Sequence, residues 1–266
     1  MRTAFAIWTL GVCLACSLPA ESSIQVVSLN LASRKDATEV ERSLSRDAEL
    51  AQADIYLFQE VYKGPEGSDS IAAAIARVRK YQVAFAPANQ AVDGGDIGLA
   101  IVSRYPLRNV EVVQLPHYEL PVRSRFRIAL AAQAETEFGL VDIINVHLDT
   151  RINLEERLKQ LQPVMDRVAS SQNKVIIGGD FNTNPHAWFR GIFPLPFAGR
   201  QASKVYSTML ASGFVSSLPL GTVTHDIPGM QLDWVFSKAL KPTKAHVLRM
   251  RQSDHHAVIA QLEVPR

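Results

Sequence analysis

The sequence contains very little cysteine. Of its 266 residues only Cys13 and Cys16 are cysteines, and both lie among the first twenty residues. The rest of the chain therefore has neither a disulfide framework nor thiolate ligands for a metal. The motifs HExxH, GxxxxGK[ST] and GxSxG are also absent. Their absence argues against zinc proteases, phosphate-loop NTPases and the common serine hydrolases.

A strong excess of charge of either sign is also missing. The chain has 28 Lys+Arg and 26 Asp+Glu, a formal net charge of +2, and 47% of its residues are hydrophobic. This balance gives no sign of obligate nucleic-acid binding, which usually relies on a basic stripe, although a local basic patch would not show in the sum. The composition is that of a globular protein, and the length suits one large α/β domain or two small ones.

Residues 1–20 have the layout of a secretory signal. Arg2 is followed by an apolar run from Ala4 to Cys16 and by small residues before Glu21. The run is too short for a comfortable permanent bilayer span. We therefore predict a signal peptide over 1–20, one mature domain over 21–266, and a secreted or periplasmic protein. Lipid anchoring through Cys16 is the weaker alternative, because Cys13 stands where bacterial lipoproteins usually carry leucine.

Strand-like and helix-like segments alternate along the chain without a repeat or a linker. Helical spacing of apolar residues predicts helices over 36–52, 70–80, 154–168 and 204–211. Continuous or alternating apolar runs predict strands over 24–31, 55–58, 81–86, 97–103, 110–115, 126–134, 140–147, 175–178, 232–236, 245–251 and 257–262. Strands occur both in consecutive sets and separated by helices. This mixture favours two mixed β-sheets packed face to face with helices outside.

Polar side chains occupy the ends of several predicted strands. An unpaired carboxylate is costly to bury, so such residues normally stay out of a strand core. Each one alone is readily explained as a cap, a turn residue or a satisfied core residue. Together they are expected to converge at one sheet edge: Asn30, Glu60, His147, Asp180, Asn182, Asp233, Asp254 and His255.

The chemistry of this set is coherent. Glu60, Asp180 and Asp254 are hard oxygen donors that suit Mg²⁺ or Mn²⁺. Metal-assisted attack of water on a phosphoester needs a cation for charge, a carboxylate or histidine for proton transfer, and amide donors for orientation. The sequence therefore predicts a metal-dependent phosphoesterase.

Six segments carry a resemblance to a known family: VVSLNL (26–31), FQEV (58–61), INVHLDT (144–150), GGDFNTNP (178–185), LDWVF (232–236) and SDHHAV (253–258). On these segments the chain resembles the endonuclease/exonuclease/phosphatase superfamily over residues 24–262. Members include deoxyribonuclease I, abasic-site endonucleases, neutral sphingomyelinases and inositol polyphosphate 5-phosphatases. The resemblance implies the α/β class with a four-layer α/β/β/α sandwich of two mixed β-sheets. With histidine at position 147, the chain resembles the histidine-containing branch of the family. Abasic-site endonucleases carry tyrosine at this place.

The resemblance also implies a metal site. Glu60 would be the principal ligand, helped by Asn30 and Asp254, and the ion would be Mg²⁺ or Mn²⁺. A carboxylate partner for His147 is expected in the nuclease branch, and Asp96 is our candidate for that role. The alternative for Asp96 is a turn aspartate.

The remaining site residues receive catalytic roles from the same resemblance. Asp180 would orient or deprotonate the attacking water, and Asn182 would hold the phosphate or the nucleophile. Asp233 would fix the ring of His255, which would contact the phosphoryl oxygens. His147 would be a second phosphate contact or a proton donor to the leaving group.

Three alternating arginines lie before and within one predicted strand and share a face: Arg123, Arg125 and Arg127. They are expected either to line the phosphate cleft, with Arg127 binding substrate, or to form a solvated strand edge. Arg157 and Gln160 are expected to tie a helix to the sheet.

The segment Trp188–Phe197 (WFRGIFPLPF) is rich in aromatic residues and proline and has no regular pattern. The favoured expectation is a loop with buried rings. The alternative is an exposed patch that contacts a membrane surface or a lipid substrate. The expected partner is thus a phosphoester, either nucleic acid or a lipid headgroup, and we expect a monomer. A catalytically silent binding or toxin subunit is the rival hypothesis.

Overall fold

The computed structural model describes residues 23–122, 124–196 and 199–265. The predicted signal peptide, Arg123 and Phe197 lie outside these ranges. The helices are α1 (Ala37–Arg46), α2 (Ala48–Ala51), α3 (Ile71–Arg79), α4 (Leu154–Ala169) and α5 (Gln201–Ala211). The strands are β1 (Ser23–Asn30), β2 (Ile55–Lys63), β3 (Gln82–Gln90), β4 (Asp96–Ser103), β5 (Leu107–Gln114), β6 (Ile128–Thr136), β7 (Gly139–His147), β8 (Lys174–Asp180), β9 (Ala187–Phe189), β10 (Phe193–Leu195), β11 (Val215–Ser216), β12 (Asp233–Lys238), β13 (Lys241–Leu248) and β14 (Ala257–Glu263).

Twelve of these strands form two mixed sheets. The first sheet has the order β13-β14-β1-β2-β4-β3, and the second has the order β11-β12-β8-β7-β6-β5. In each sheet one pair is parallel, β1 with β2 and β7 with β8. The strands β9 and β10 form a separate antiparallel hairpin. Each parallel pair brings two carboxyl strand ends to the same sheet edge, which places the site.

Apolar side chains of the two sheets meet in a central core between them. Val26 and Leu57 of the first sheet belong to the same buried cluster as Ile143 and Ile176 of the second. The outer face of the first sheet packs on α1 and α3, and that of the second packs on α4 and α5. Strands that are buried on both faces read as continuous apolar runs, as observed. The predicted four-layer α/β/β/α sandwich is confirmed.

A buried pair of amides joins the two sheets through this core. Nε2 of Gln59 in β2 donates to Oδ1 of Asn145 in β7 at 2.8 Å. Nδ2 of Asn145 donates to the carbonyl oxygens of Phe58 and Ala100 at 2.9 Å each. Buried amides cost free energy unless they are hydrogen-bonded. These hydrogen bonds form only when the sheets face each other in this register, and Oε1 of Gln59 has no hydrogen-bond partner among the described residues.

One predicted helix is divided in the structure. A single helix is predicted over 36–52, but in the structure the helix is interrupted at Asp47, between α1 and α2. Asp47 is extended, and its carboxylate accepts hydrogen bonds from the backbone of Glu49 and Leu50 at 2.9 and 3.0 Å. Aspartate is a favoured N-cap, so it starts a new helix instead of continuing the old one. Among the described residues, no helix is long and apolar enough to cross a membrane.

Candidate active site

The predicted site residues meet at one end of the sandwich, around an open cleft of about 620 Å³. His147 and Asp180 are directly paired at the ends of the parallel strands β7 and β8. β12 runs antiparallel to β8, so its first residue, Asp233, lies opposite Asp180. The predicted residues that line the cleft are Asn30, Glu60, Arg127, His147, Asp180, Asn182, Asp254 and His255.

Asp180 lies at the centre of the site and is almost completely buried. Its Oδ2 accepts a hydrogen bond from Nδ2 of Asn30 at 3.1 Å, and its Oδ1 accepts one from the backbone N–H of Asn182 at 2.9 Å. Nε2 of His147 and Nε2 of His255 lie 3.4 and 3.7 Å from Oδ2. Burial raises the pKa of Asp180 to about 6, against the opposing effect of His255. A carboxylate in this setting is suited to accept a proton.

Asp233 holds the ring of His255 from behind. Its Oδ2 lies 2.9 Å from Nδ1 of His255 and also accepts a hydrogen bond from Oγ1 of Thr224 at 2.9 Å. Burial alone would lower the pKa of His255, but the carboxylates of Asp233 and Asp180 outweigh it and raise the pKa to about 10. His255 is therefore cationic at neutral pH and presents Nε2–H toward Asp180 and the cleft.

The ring of His147, unlike that of His255, is neutral at neutral pH. Nη1 of Arg127 donates to its Nε2 at 2.8 Å, so this nitrogen carries the lone pair. Burial, followed by the charges of Arg127 and His255, lowers the pKa of His147 well below its usual range. Nε of Arg127 in turn donates to Oδ1 of Asp149 at 2.9 Å. Arg127 is buried, so the solvated-edge alternative is wrong for this residue.

The structure does not pair Asp96 with His147. Asp96 begins β4, where it pairs with Lys63 and Gln90. The polar side chains near Nε2 of His147 are Arg127 and Asp180 instead. The pairing expected from the nuclease branch of the family is therefore wrong for Asp96.

A second buried arginine fixes the loops that follow β7 and β8. Nη1 of Arg157 in α4 donates to the carbonyl oxygens of Asp149 and Phe181 at 2.7 Å each. Nε2 of Gln160, one turn further along α4, donates to Oδ2 of Asp149 at 2.9 Å. Arg157 and Gln160 thus tie the helix to both loops, as predicted.

A β-bulge directs Glu60 to the cleft. Pairing between β2 and β4 shifts between Phe58 and Val61, and Glu60 adopts a left-handed φ of 50° there. Such a conformation is costly for a residue with a side chain and often marks a functional position. Oγ of Ser33 donates to Oε2 of Glu60 at 3.1 Å.

Asp254 lies at the open rim, with its side chain 60% exposed. Nε2 of His225 is 3.5 Å from its Oδ2, and the ring of His225 packs edge-on against that of His255 with centroids 4.9 Å apart. His256, which follows His255 in the sequence, contacts Oδ1 of Asp226 instead.

The segment Trp188–Phe197 contains a regular hairpin, contrary to expectation. β9 and β10 pair antiparallel, with Phe193 opposite Phe189. Phe189 and Phe193 are 56% and 61% exposed, and Ile192 and Leu195 are exposed as well. The favoured expectation of buried rings is wrong for these residues. Their side chains are exposed, as in the alternative expectation.

Sequence reasoning missed three residues of the site: Asp149, Thr224 and His225. Asp149 stands within the segment INVHLDT, two residues after His147, and an acid at a strand end was the available signal. Thr224 and His225 lie in an irregular loop where no periodic pattern marks them. Only the closure of the chain onto residues 254–256 brings them to Asp233 and His255.

This constellation can be compared with known proteins. The model of the Endonuclease/Exonuclease/phosphatase family matches residues 27–255. The chain belongs to this family. Its members are phosphoester hydrolases, and they depend on divalent metal ions.

Solved structures of the family share the fold. An endonuclease/exonuclease/phosphatase from Beutenbergia cavernae DSM 12333 is 19% identical with a TM-score of 0.72, covering 91% of this chain and 72% of that one. The human Nocturnin catalytic domain with bound sulfate is also 19% identical, with a TM-score of 0.66 and coverages of 91% and 94%. ANGEL2, a 2′,3′-cyclic phosphatase in complex with adenosine-2′,3′-vanadate, is 14% identical, with a TM-score of 0.65 and coverages of 92% and 100%. At these identities the likeness shows the fold alone.

The donor set of this family member fits a hard divalent cation. Ser33 engages only Oε2 of Glu60, and no hydrogen bond to Oε1 is present among the described residues. Asn30, Asp180 and Asp254 add oxygen donors around the same cleft. Oxygen-rich sites of this kind suit Mg²⁺ and Mn²⁺ and lack the sulfur ligands of softer metals.

The buried pair of Arg127 and Asp149 yields a stability prediction. Asp149→Ala leaves the Arg127 guanidinium buried without its carboxylate, so the free energy of unfolding should fall by about 3–5 kcal/mol. Urea unfolding followed by tryptophan fluorescence measures this loss. As a control, the double variant Arg127→Met/Asp149→Leu removes both charges and should recover at least half of it. Wild-type stability in Asp149→Ala would contradict the proposed network.

Proposed function

We propose that this family member hydrolyses phosphodiesters with the help of Mg²⁺ or Mn²⁺. The observation that carries the proposal is the buried Asp180 carboxylate between the neutral ring of His147 and the cationic ring of His255, in an open cleft. A carboxylate with raised pKa can accept a proton from water, whereas a cationic imidazole can stabilise developing phosphoryl charge. No covalent nucleophile is required.

The residues divide the work by their contacts. Asp180, held by Asn30 and Asn182, orients the attacking water and accepts its proton. His255, held by Asp233, donates Nε2–H toward the phosphoryl oxygens. A divalent ion at Glu60, Asn30 and Asp254 would polarise the phosphoryl group when bound.

Arg127 and His147 complete the opposite wall of the cleft. The guanidinium of Arg127 supplies a fixed positive charge close to Nε2 of His147. Arg125, which is half-buried, lines the same wall. Two arginines in the same cleft as the cationic His255 favour an anionic ligand, and guanidinium groups suit phosphate in particular.

The first test is hydrolysis of bis-p-nitrophenyl phosphate by the purified mature protein. Asp180→Asn and His255→Gln should each reduce kcat by at least about 10³-fold, because each removes a group that acts in the transition state. Chelation should abolish activity, and added Mg²⁺ or Mn²⁺ should restore it. Glu155→Gln, an equal change on the exposed face of α4, is the control and should be neutral.

Two results would count against the proposal. Activity that survives both substitutions would exclude this mechanism. A folded wild-type protein that is inert on every phosphoester, yet binds a partner tightly, would favour the silent binding or toxin subunit.

A specific observation favours a lipid phosphodiester over nucleic acid. Trp188 and Pro194 of the hairpin line the same cleft as Asp180, while Phe189 and Phe193 are exposed beside it. Residues 181–225 contain no Asp or Glu, and their Lys and Arg residues are Arg190, Arg200 and Lys204. Exposed apolar rings with neighbouring cations match an anionic membrane surface. We therefore propose that the hairpin places the cleft against lipid headgroups.

Vesicles provide the test of this surface. Phe189→Ser/Phe193→Ser should weaken binding to vesicles of sphingomyelin mixed with an anionic phospholipid at least about tenfold, because each ring loses its burial in the bilayer interface. Hydrolysis of the soluble ester should stay unchanged. The control Val78→Ser/Val110→Ser removes two exposed apolar side chains from α3 and β5. Cleavage of plasmid DNA without vesicle binding would reverse the substrate assignment.

We further propose that residues 1–20 direct export and that the enzyme acts outside the cytoplasm as a monomer. Expression of the full chain in a bacterial host should yield an exported protein that begins after Ala20 or Ser17, as measured by intact mass. Recovery of the protein in the cytoplasm with Met1 retained would contradict export. A mature protein that begins at Cys16 with an added lipid mass would support the anchored alternative.

A further inference from the structure

His225 lies beside Asp254 and His255 and has no role in the mechanism described above. Its backbone forms an antiparallel bridge with His255. The neighbouring bonds Asp226 N–H to Asp254 O and His256 N–H to Thr224 O, both 2.8 Å, extend this contact. Residues 224–226 are thus clipped to the segment that carries Asp254 and His255. The imidazole is nearly buried and borders the cleft.

The tautomer of His225 is fixed by its backbone surroundings. The N–H of Ile227 donates to Nδ1 of His225 at 3.0 Å. A backbone amide can only donate, so Nδ1 carries the lone pair and the ring proton resides on Nε2. Nε2 is the atom that faces Oδ2 of Asp254, at 3.5 Å. The ring therefore presents a donor, and not a lone pair, to the cleft.

This arrangement bears on a group of three side chains that looks like a metal site. His225, Asp254 and His255 each place a ligand atom within 4.8 Å of the others. A metal ligand must offer a lone pair, but Nε2 of His225 carries the proton. Nδ1 of His255 is engaged by Asp233. Nε2 of His255 faces Oδ2 of Asp180 at 3.7 Å. Both ring nitrogens of His255 thus face carboxylates, which leaves Asp254 as the member of this group best placed to offer a lone pair to a cation.

We propose that His225 is a positioning residue for Asp254. Its Nε2–H holds the carboxylate of an otherwise exposed side chain at the mouth of the cleft, and its ring closes one side of His255. Histidine–carboxylate pairs behind a metal ligand orient that ligand and typically change metal affinity or activity 10–100-fold. This inference rests on the proposed metal-dependent function, since it gives Asp254 a cation to hold.

Two amide substitutions separate the two nitrogens of the ring. The amide nitrogen of His225→Gln reaches the place of Nε2, whereas the amide oxygen of His225→Asn replaces Nδ1 and accepts from Ile227. Mn²⁺ affinity by titration calorimetry should stay within about threefold of wild type in His225→Gln. It should fall roughly tenfold or more in His225→Asn and His225→Leu. Thermal unfolding of each variant reports whether it is folded, so a misfolded His225→Leu leaves the amide pair decisive.

A double-mutant cycle identifies Asp254 as the target. In the background of Asp254→Asn, His225→Asn should cause no further loss of Mn²⁺ affinity or kcat, because the carboxylate to be held is gone. The tautomer has its own readout, since two-bond ¹⁵N–¹H spectra of the imidazoles should place the His225 proton on Nε2.

The outcomes separate the two proposals. Equal affinity in His225→Asn and wild type would mean that only the Nδ1 contact matters and would overturn the positioning role. A full loss that persists beside Asp254→Asn, or a proton on Nδ1, would overturn it too. Wild-type protein that neither binds Mn²⁺ nor hydrolyses a phosphoester would instead refute the proposed function itself.

Discussion

The buried carboxylate of Asp180 is the constraint on which the site depends. Taking an ionised carboxylate out of water costs several kcal/mol unless hydrogen bonds and opposite charge replace the lost hydration. Here the replacement comes from separate parts of the chain: an amide at the end of β1, a backbone N–H after β8, and the cationic ring of His255. The same incomplete compensation that raises the pKa of Asp180 would let it act as a base in the proposed mechanism. Stability and chemistry thus draw on one set of contacts.

Such convergence requires the two sheets to keep a fixed register, and buried side-chain amides help to maintain it. Gln59 and Asn145 bond across the core between the sheets. Directly after Gln59 comes the bulge that brings Glu60 to the cleft. Two residues after Asn145 comes His147, the end of β7. The inter-sheet amides therefore lie one residue before Glu60 and two residues before His147. A shift of either strand would displace these cleft residues and at the same time break the hydrogen bond between the sheets.

The sequence foretold the fold class and most of the cleft, because strand ends are visible as a change from apolar to polar residues. Asn30, His147 and Asp180 were found this way. Asp96 failed for the complementary reason: a strand start also shows that change, and only the observed pairing of β4 places it away from His147. His225 was not predicted as a site residue, because its position depends on how an irregular loop packs onto residues 254–256. The exposure of Phe189 and Phe193 escaped because apolar letters alone do not reveal what covers them.

The near-neutral net charge acquires a different meaning once the chain is folded. Summed over the sequence, it argues only weakly against nucleic acid. In the structure, Arg125 and Arg127 lie in the cleft, where any phosphoester needs them, so they do not distinguish one substrate class from another. The proposed preference for lipid rests instead on the rim of the cleft, where exposed phenylalanine rings favour an apolar environment over a polyanion in water. On the proposed function, the strand ends would bind the phosphate and the β9–β10 hairpin would select the molecule that carries it.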